Sequence, residues 1–286
     1  MQMQQITRQL TEALGQVPDA VSPLTGGCVG EVYAVRLADG TRLVAKVDDG
    51  PTPRLDVEGF MLAHLAEQTA LPVPVVHFVA PRLLVMSFLP GRSHFPAGAQ
   101  AHAAELLAAL HNLSAPQFGL ARGTLIGGLP QPNPWTDSWL AFFRDWRLLY
   151  MAEEAARAGR LPEAYLARLA RLGAQLDRWL VEPARPGLVH GDVWTSNVLA
   201  AGERITGFLD PAIYYADPEI ELAFITLFGT FGDAFFARYH ELRPIRPGFF
   251  EARRDLYNLY PLLVHVRLFG GGYVASVDRT LRRFGF

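Results

Sequence analysis

Residues 190–197, followed by Asp210, constrain the fold of this chain more than any other segment. The segment reads His-Gly-Asp-Val-Trp-Thr-Ser-Asn, so Asn197 follows Asp192 by five residues, and Asp210 comes thirteen residues later. Residues 198–209 predict two short strands joined by a turn, because apolar runs flank a Gly-containing break. Such a hairpin would fold Asp210 back beside Asn197, so that their side-chain oxygens face one pocket.

Two acids and an amide at this spacing are typical of kinases with the protein-kinase-like fold. In those enzymes one acid accepts the proton of the attacking hydroxyl, and an Asn and a second acid hold the magnesium ions that bridge the ATP phosphates. Asp192 is therefore the candidate catalytic base, and Asn197 and Asp210 are the candidate Mg²⁺ ligands. A purely structural Asp192 that caps a turn would leave the other two residues unexplained. The sequence predicts a small-molecule kinase that uses ATP and Mg²⁺.

The single lysine of the chain supports the same chemistry independently. Of 26 Lys and Arg residues only Lys46 is a Lys, and it lies on the apolar stretch Leu-Val-Ala-Lys-Val. A compact ammonium on a strand is the group that contacts the ATP α- and β-phosphates in kinases, where a helix Glu holds it. Glu58, near the start of the next amphipathic segment, is the predicted partner. The alternative is a strand lysine that only extends its charged end to solvent.

Composition limits the class of protein. The chain has 286 residues, of which 50% are hydrophobic and 19% charged, and its net charge is −2. These values predict a globular protein and give no electrostatic reason to expect nucleic acid or an anionic membrane as partner. The amino terminus lacks the apolar core of a signal peptide, and one cysteine allows no intrachain disulfide. We expect a cytoplasmic protein.

The pattern along the chain predicts an α+β, bilobal fold of the protein-kinase-like type. Residues 1–89 should form a small β-rich N-lobe that binds the ATP phosphates, with a helix over 3–14 and another that carries Glu58 to about Thr69. Residues 90–286 should form a larger, mainly helical C-lobe with the catalytic and acceptor-binding residues. Residues 72–76 and 82–89 are expected to complete the N-lobe sheet. Helical spacing predicts helices over 99–113, 137–158, 162–181, 219–242 and 249–269. Residues 118–139 are rich in Gly and Pro and show no periodicity.

The remaining nucleotide-binding candidates lie in a loop and an interlobe segment of the N-lobe. A glycine-rich loop between two predicted strands would let backbone N–H groups approach phosphate oxygens, although such loops are also common hairpin turns. Residue 28 is either a small filler or an exposed thiol that could link two chains. The segment between the lobes is where backbone groups of kinases bond adenine. These candidates are Gly26, Gly27, Cys28, Val29, Gly30, Met86, Ser87 and Phe88.

Several residues near the central motif allow two interpretations. Trp194 fits core packing as well as an aromatic wall for the substrate, and the tyrosines at 214 and 215 share this ambiguity. His190 is expected to be structural. The acids of 217–221 predict the start of a helix, because carboxylates are favoured there.

The motifs together resemble the fructosamine (ketosamine) kinase family. The resemblance rests on 190–197, on Asp-Pro-Ala-Ile-Tyr-Tyr from Asp210, and on Asn-Pro-Trp-Thr-Asp-Ser-Trp at 133–139. It extends to Gly-Gly-Cys at 26–28, Leu-His-Asn-Leu at 110–113, Phe-Phe-Arg at 142–144, Glu-Ile-Glu-Leu-Ala at 219–223 and Tyr-His at 239–240, and so covers nearly the whole chain. Aminoglycoside phosphotransferases and choline kinases share only the His-Gly-Asp, Asn and Asp elements.

The resemblance implies ATP-dependent phosphorylation of the 3-hydroxyl of ketosamines, the products of sugars with amines. The 3-phosphate promotes spontaneous loss of the sugar from the amine. The implied role is therefore deglycation of metabolites or proteins. It implies Asp192 as the base and Trp194 as a substrate contact, and it adds His265 near the substrate pocket. Thr25 and Gly30 depart from the family pattern of Gly and Ser. The partner is then a small-molecule or protein-bound ketosamine, and the protein a monomer or a Cys28-linked dimer. Two alternatives stay open at this point: another small-molecule kinase of the aminoglycoside or choline type, and a nucleotide-binding pseudokinase.

Overall fold

The structure, a computed structural model, describes residues 2–24 and 30–286. The N-terminal part contains seven elements: α1 (Gln2–Leu14), β1 (Ala20–Leu24), β2 (Glu31–Arg36), β3 (Arg42–Val47), α2 (Leu55–Gln68), β4 (Val76–Ala80) and β5 (Leu83–Ser87). The strands form one antiparallel sheet in the order β1-β2-β3-β5-β4. The predicted glycine-rich loop, residues 25–29, lies outside the described residues.

Alternation along β3 sends its side chains to two faces of the sheet. Leu43, Ala45 and Val47 belong to a small core together with Ile6 and other residues of α1. The lysine between them on β3 faces the other way, toward α2. That helix packs its own apolar residues into the larger core of the molecule. The sheet therefore lies between two helices, and its second face carries the only lysine toward the rest of the chain.

The rest of the described chain is mainly helical. Its helices are α3 (Ala97–His111), α4 (Trp139–Phe143), α5 (Tyr150–Arg157), α6 (Ala164–Gly173), α7 (Glu219–Leu227), α8 (Asp233–Leu242), α9 (Arg254–Tyr257), α10 (Leu259–Phe269) and α11 (Gly272–Arg283). A π-helical segment (Arg144–Leu149) joins α4 to α5, and another (Phe249–Arg253) precedes α9. Among the described residues, none of the helices has the length and apolar character needed to cross a membrane.

Three pairs of short strands interrupt the helices. They are β6 (Thr124–Ile126) with β7 (Leu129–Gln131), β9 (Val198–Ala201) with β10 (Arg204–Phe208), and β8 (Gly187–Val189) with β11 (Tyr214–Ala216). The pair β9–β10 confirms the hairpin that the sequence predicted. The pair β8–β11 joins the two ends of the segment 190–210, because β8 ends just before His190 and β11 begins four residues after Asp210.

The division into a β-rich first part and a helical remainder confirms the predicted α+β class, but several element predictions are wrong. The helix predicted over 219–242 is two helices, because the chain turns at Gly229 and Gly232. Pro72 and Pro74 keep their segment out of the sheet, since proline has no N–H to donate; the Pro72 carbonyl instead accepts from Phe208 N at 2.8 Å. Helix α11 and the strands of the β6–β7 and β8–β11 pairs were not predicted.

Candidate active site

The hairpin β9–β10 places the residues of the central motif together. The backbone N–H of Leu209 donates to the carbonyl of Asn197 at 2.8 Å, which brings the following residue, Asp210, beside Asn197. The Asn197 amide donates to a carboxylate oxygen of Asp192 at 2.8 Å and to its carbonyl at 3.1 Å. Within residues 2–24 and 30–286, Asp210 is also the one non-glycine residue with positive φ, at 51°. Such backbone strain is typical of functional sites.

Lys46 reaches this site from β3. Its ammonium lies 2.6 Å from a carboxylate oxygen of Glu58 on α2 and 2.5 Å from one of Asp210. Burial alone would lower the pKa of Lys46, but the two carboxylates outweigh it and hold the pKa above its usual value. The predicted Lys46–Glu58 pair is thus present as a contact, and the lysine is charged.

Asp192 lies in an environment that disfavours its charged form. Burial, and after it the negative charge of Asp210, raise the pKa of Asp192 to about 8, whereas the hydrogen bond from Asn197 lowers it. A cation near Asp210 would offset the negative charge of that residue and so lower the pKa of Asp192. A carboxyl with a pKa of about 8 is mostly protonated at pH 7. A cation at Asp210 that lowers this pKa would therefore free Asp192 to accept a proton.

The structure shows only part of the remaining predicted nucleotide site. Gly26, Gly27, Cys28 and Val29 lie outside the described residues, so their predicted phosphate contacts stay predictions. Gly30 directly precedes β2, and the Val47 carbonyl oxygen is 2.3 Å from the point where a β-carbon would stand. A larger residue therefore cannot replace it without a shift of the backbone.

The interlobe candidates Met86, Ser87 and Phe88 lie at the end of β5 and just beyond it. Met86 is buried in the sheet. The backbone N–H of Ser87 donates to the carbonyl of Val75 at 2.9 Å, and the backbone N–H of Phe88 donates to the carbonyl of Arg42 at 3.2 Å. These two donors are already bonded inside the protein, so the predicted contact with adenine would have to use other backbone groups of this segment.

Two recesses meet at Asp192 and Trp194, which line both. The first, here called the polar cleft, is also lined by Lys46, Glu58, Asn197 and Asp210. The second, the apolar cavity, continues from Asp192 between aromatic and aliphatic side chains, among them Tyr214, Ile220, Phe224, Tyr260, Val264 and His265. The charged groups of the motif therefore face one side of Asp192, and an apolar chamber opens on the other.

Trp194 and His265, the two predicted substrate contacts, both line the apolar cavity. The His265 ring hydrogen-bonds to the Pro261 carbonyl through Nδ1 at 2.8 Å. Since a carbonyl only accepts, Nδ1 carries the hydrogen and Nε2 is the acceptor. Burial lowers the pKa of His265, so the ring is neutral near pH 7.

Glu221 holds the backbone of the loop that carries Asp192, a role that the sequence did not reveal. Its carboxylate accepts from the backbone N–H of Gly191 at 2.5 Å and from that of His190 at 3.3 Å. It also bonds His111 Nε2 at 2.8 Å, and His111 Nδ1 bonds the Tyr239 hydroxyl. Burial would raise the pKa of Glu221, but the hydrogen bond and charge of His111 outweigh it, so the net effect lowers the pKa.

The other acids of the same segment fit the structural interpretation. Asp217 accepts from the backbone N–H of Glu219 at 3.1 Å, as expected at a helix start. The Asp217 carboxylate also bonds Arg246 at 2.6 Å and Tyr257 at 2.9 Å. Glu219 pairs with Arg253 at 2.5 Å. His190 is likewise buried, and its Nδ1 accepts from the backbone N–H of Asp192 at 3.3 Å.

The hairpin β6–β7, which lies in the segment without periodicity, is the second site element that the sequence did not reveal. Successive residues of β6 face different recesses: Leu125 lines the polar cleft, and Ile126 lines the apolar cavity. Gly127, in the turn, borders both. The tip of this hairpin therefore stands where the two recesses join.

Buried polar side chains join the base of the hairpin β6–β7 to the residues that follow Asp210. The Gln131 amide donates to the Ala212 carbonyl at 3.0 Å and to the Thr124 hydroxyl at 2.8 Å. Asn133 also donates to Thr124, at 2.8 Å, and accepts from the buried Arg147 guanidinium at 2.5 Å. Because the Ala212 carbonyl comes two residues after Asp210, the hairpin and the motif form one unit.

The oxygen donors of the polar cleft fit a magnesium ion. Mg²⁺ prefers hard oxygen ligands and is commonly held by one or two carboxylates together with water and substrate phosphates. Asn197 and Asp210 supply donors of this kind on one wall of the cleft. Across the part of the chain that the structure describes, no group of three or more His, Cys, Asp or Glu side chains is arranged to hold a metal by itself. Asn197 and Asp210 are the residues that would hold a magnesium ion in the cleft.

Comparison with known proteins identifies the family. The family model described as fructosamine kinase matches residues 2–284. The chain belongs to the fructosamine kinase family. A protein of Synechocystis named as a probable ketoamine kinase is 37% identical, over 98% of this chain and 96% of its own length. A rice protein named protein-ribulosamine 3-kinase, chloroplastic, is 30% identical, over 96% of this chain and 82% of its own.

Solved structures agree with this assignment and with the fold. One from Thermobifida fusca, described as a "putative fructosamine-3-kinase", has a TM-score of 0.87 at 32% identity, and the match covers 97% of both chains. An aminoglycoside phosphotransferase solved with AMP-PNP and hygromycin B has a TM-score of 0.70 at 17% identity and covers 98% of this chain and 99% of its own. The predicted protein-kinase-like fold is thereby confirmed.

Proposed function

We propose that this member of the fructosamine kinase family is an ATP-dependent kinase that phosphorylates the 3-hydroxyl of ketosamines and so promotes deglycation. The convergence of Lys46, Asp192 and Asp210 where a polar cleft meets an apolar cavity carries the proposal. The name of the rice relative, a ribulosamine 3-kinase, supports the choice of the 3-hydroxyl.

The nucleotide occupies the polar cleft in this proposal. Lys46, held by Glu58, pairs with the phosphates, and residues 26–30 cover them with backbone N–H groups. Residues 1–89 form the nucleotide lobe and residues 90–286 the catalytic and acceptor lobe, with adenine near 86–88. Mg²⁺, when bound through Asn197 and Asp210, would neutralise the charge on the phosphate oxygens.

Asp192 performs the proton transfer. An acceptor hydroxyl that enters from the apolar cavity meets this carboxylate first, because Asp192 lies at the junction of the two recesses. As the hydroxyl oxygen attacks the γ-phosphorus, its proton passes to a carboxylate oxygen of Asp192, and ADP leaves on the opposite side. Asn197 orients the carboxylate by its hydrogen bond, and Glu221 holds the backbone of the loop.

Release of ADP in the presence of MgATP tests the proposal. The acceptor panel contains ribulose-lysine, fructose-lysine, kanamycin, choline and ribose, and a reaction without acceptor measures background hydrolysis. We expect turnover with the two ketosamines only, and the phosphate at the sugar 3-position in the product by NMR. Turnover only with kanamycin or choline would show that the acceptor is not a ketosamine, while the proposed mechanism would stand. Binding of ATP without any turnover would indicate a nucleotide-binding pseudokinase.

A further inference from the structure

Five aromatic side chains form a connected group at the outer end of the apolar cavity. This aromatic rim consists of Trp194, Phe228, His265, Phe269 and Tyr273. The ring centre of Phe228 lies 6.1 Å from that of Trp194 and 5.0 Å from that of His265. The His265 ring in turn lies 5.7 Å from Phe269 and 4.8 Å from Tyr273. The rim begins beside the candidate catalytic base and runs outward to α11.

Packing accounts for only part of the rim. Tyr273 packs against the main hydrophobic cluster, and the Phe228 ring centre lies 5.7 Å from that of the buried Phe224. Phe228 is nevertheless 36% exposed and Phe269 56% exposed. Rings left in water within one contiguous patch indicate a binding surface rather than a structural element. Their position, continuous with the cavity, indicates that the ligand of the cavity also covers the rim.

The chemistry of the cavity defines which part of the ligand reaches the rim. Among the residues that the structure describes, only two acids line the cavity. They are Asp192, beside the polar cleft, and Glu221, whose carboxylate bonds the loop backbone and His111. Toward the mouth the lining is apolar or aromatic. Such a surface binds apolar chains, and the faces of its rings attract cations.

We propose that the aromatic rim is the subsite for the amine half of the ketosamine and selects substrates whose amine carries an extended aliphatic or aromatic substituent, such as the side chain of lysine. The inference rests on the proposed function, because the sugar hydroxyl at Asp192 leaves the amine to point outward. The secondary ammonium lies against the ring faces, and the substituent packs along Phe228 and Phe269.

A homologous series of ketosamines tests the proposal. The sugar is kept constant, and the amine is methylamine, butylamine, hexylamine or Nα-acetyl-lysine. For the unaltered protein we expect KM to fall about tenfold or more from the methyl to the hexyl compound, because each buried methylene contributes favourably. A KM that is the same for all four amines would overturn the proposal.

Two variants and a matched control assign the effect to the rim. In Phe228→Ala and Phe269→Ala, singly and together, we expect the ratio of KM between the methyl and hexyl compounds to shrink to about threefold or less. Phe250→Ala removes a ring of similar exposure (43%) that contacts Phe236 and Phe249 instead of the rim, and we expect it to keep the full ratio. An unchanged ratio in the double variant would contradict the proposal.

Calorimetric binding separates failure of this inference from failure of the proposed function. Titration of the hexyl and methyl ketosamines into the protein with AMP-PNP and Mg²⁺ reports affinity without catalysis. Tighter binding of the hexyl compound that depends on Phe228 and Phe269, without phosphorylation, would retain the subsite and overturn the kinase assignment. Phosphorylation of both compounds with equal affinity would retain the kinase assignment and overturn the proposed subsite.

Discussion

The ammonium of Lys46 lies 2.5 Å from a carboxylate oxygen of Asp210, although 164 positions separate the two residues. The contact joins strand β3 of the sheet to the end of the hairpin β9–β10. In the proposed mechanism Lys46 binds phosphate and Asp210 binds Mg²⁺, so MgATP must separate the two side chains or enter between them. The electrostatic state of the cleft therefore changes when nucleotide binds.

Replacement of Lys46 by Arg should impair catalysis although it keeps the charge. The lysine side chain is only 9% exposed and lies between two carboxylates, and a planar guanidinium has a different shape and donor geometry. We expect kcat/KM to fall about 10²-fold or more in an ADP-release assay, since the phosphate contact is lost. Arg36→Lys, an exchange at an exposed pair with Asp19, is the control and should retain activity. Full activity of Lys46→Arg would contradict the assigned role.

Asp192→Asn should separate chemistry from binding. The amide cannot accept the proton of the acceptor hydroxyl, so we expect kcat to fall by about 10²- to 10⁴-fold. Affinity for AMP-PNP, measured by calorimetry, should change little, because Lys46 and Asp210 remain. A variant with undiminished kcat would exclude Asp192 as the base.

Gly191→Ala should damage the site more than the fold. The added β-carbon would stand 2.2 Å from the Ala212 carbonyl oxygen, at a φ of 85°, so the loop that carries Asp192 must shift. Gly202→Ala is the matched control, because its φ of 58° is also positive but nothing lies within 4 Å. We expect kcat/KM to fall at least tenfold only in Gly191→Ala, while Gly202→Ala costs about 1 kcal/mol of stability or less. Equal activity losses in the two variants would argue against this steric explanation.

Arg147→Lys should destabilise the protein although the charge is conserved. The guanidinium is fully buried, donates to Asn133 at 2.5 Å and to the Pro132 carbonyl at 2.8 Å, and lies 3.8 Å from the centre of the Tyr214 ring. An ammonium cannot satisfy these partners together, so we expect a loss of about 2–4 kcal/mol in urea unfolding.

Arg144→Lys is the control for that experiment. It lies in the same π-helical segment, but its side chain is 42% exposed and pairs with its neighbour Asp145. We expect the urea midpoint to stay near that of the unaltered protein. A similar loss in both variants would point to a general sensitivity of the segment and not to the hairpin anchor.

Acid should destabilise the protein partly through Glu221. Its pKa is lowered in the folded state, so the folded protein binds fewer protons at this site than the unfolded chain. The contribution of Glu221 to the free energy of unfolding is therefore complete above its unfolded pKa, roughly 4.3, and is lost as pH falls through the lower folded value. Urea unfolding from pH 7 to pH 3 should show a smaller acid-dependent decrease in Glu221→Gln. Parallel curves for both proteins would contradict this role.

The residues that perform the proposed chemistry could be predicted because they lie in compact motifs. The 190–197 segment and Asp210 are joined by a local hairpin, so their spacing alone placed Asn197 beside Asp210. Lys46 was identifiable because no other lysine occurs in the chain. The contact between Lys46 and Glu58 was expected from the kinase pattern and is present in the structure.

The supporting residues could not be predicted, because long-range contacts determine them. Glu221 lies in a helix start that is rich in acids, and only the fold shows that it faces Gly191 while Glu219 faces Arg253. The strands of β6–β7 have three residues each and include Pro130, so no periodicity marks them. Their partners, such as the Ala212 carbonyl, lie about eighty positions away.

Strand β6 places neighbouring side chains, Leu125 and Ile126, in two different recesses, so each recess can change without the other. A strand turns successive side chains to opposite sides, and here one neighbour borders the recess of the proposed phosphate donor and the other that of its acceptor. A change at Ile126 can thus reshape acceptor choice during evolution while Leu125 and the nucleotide side are preserved. Laboratory redesign toward new acceptors can begin at the same position.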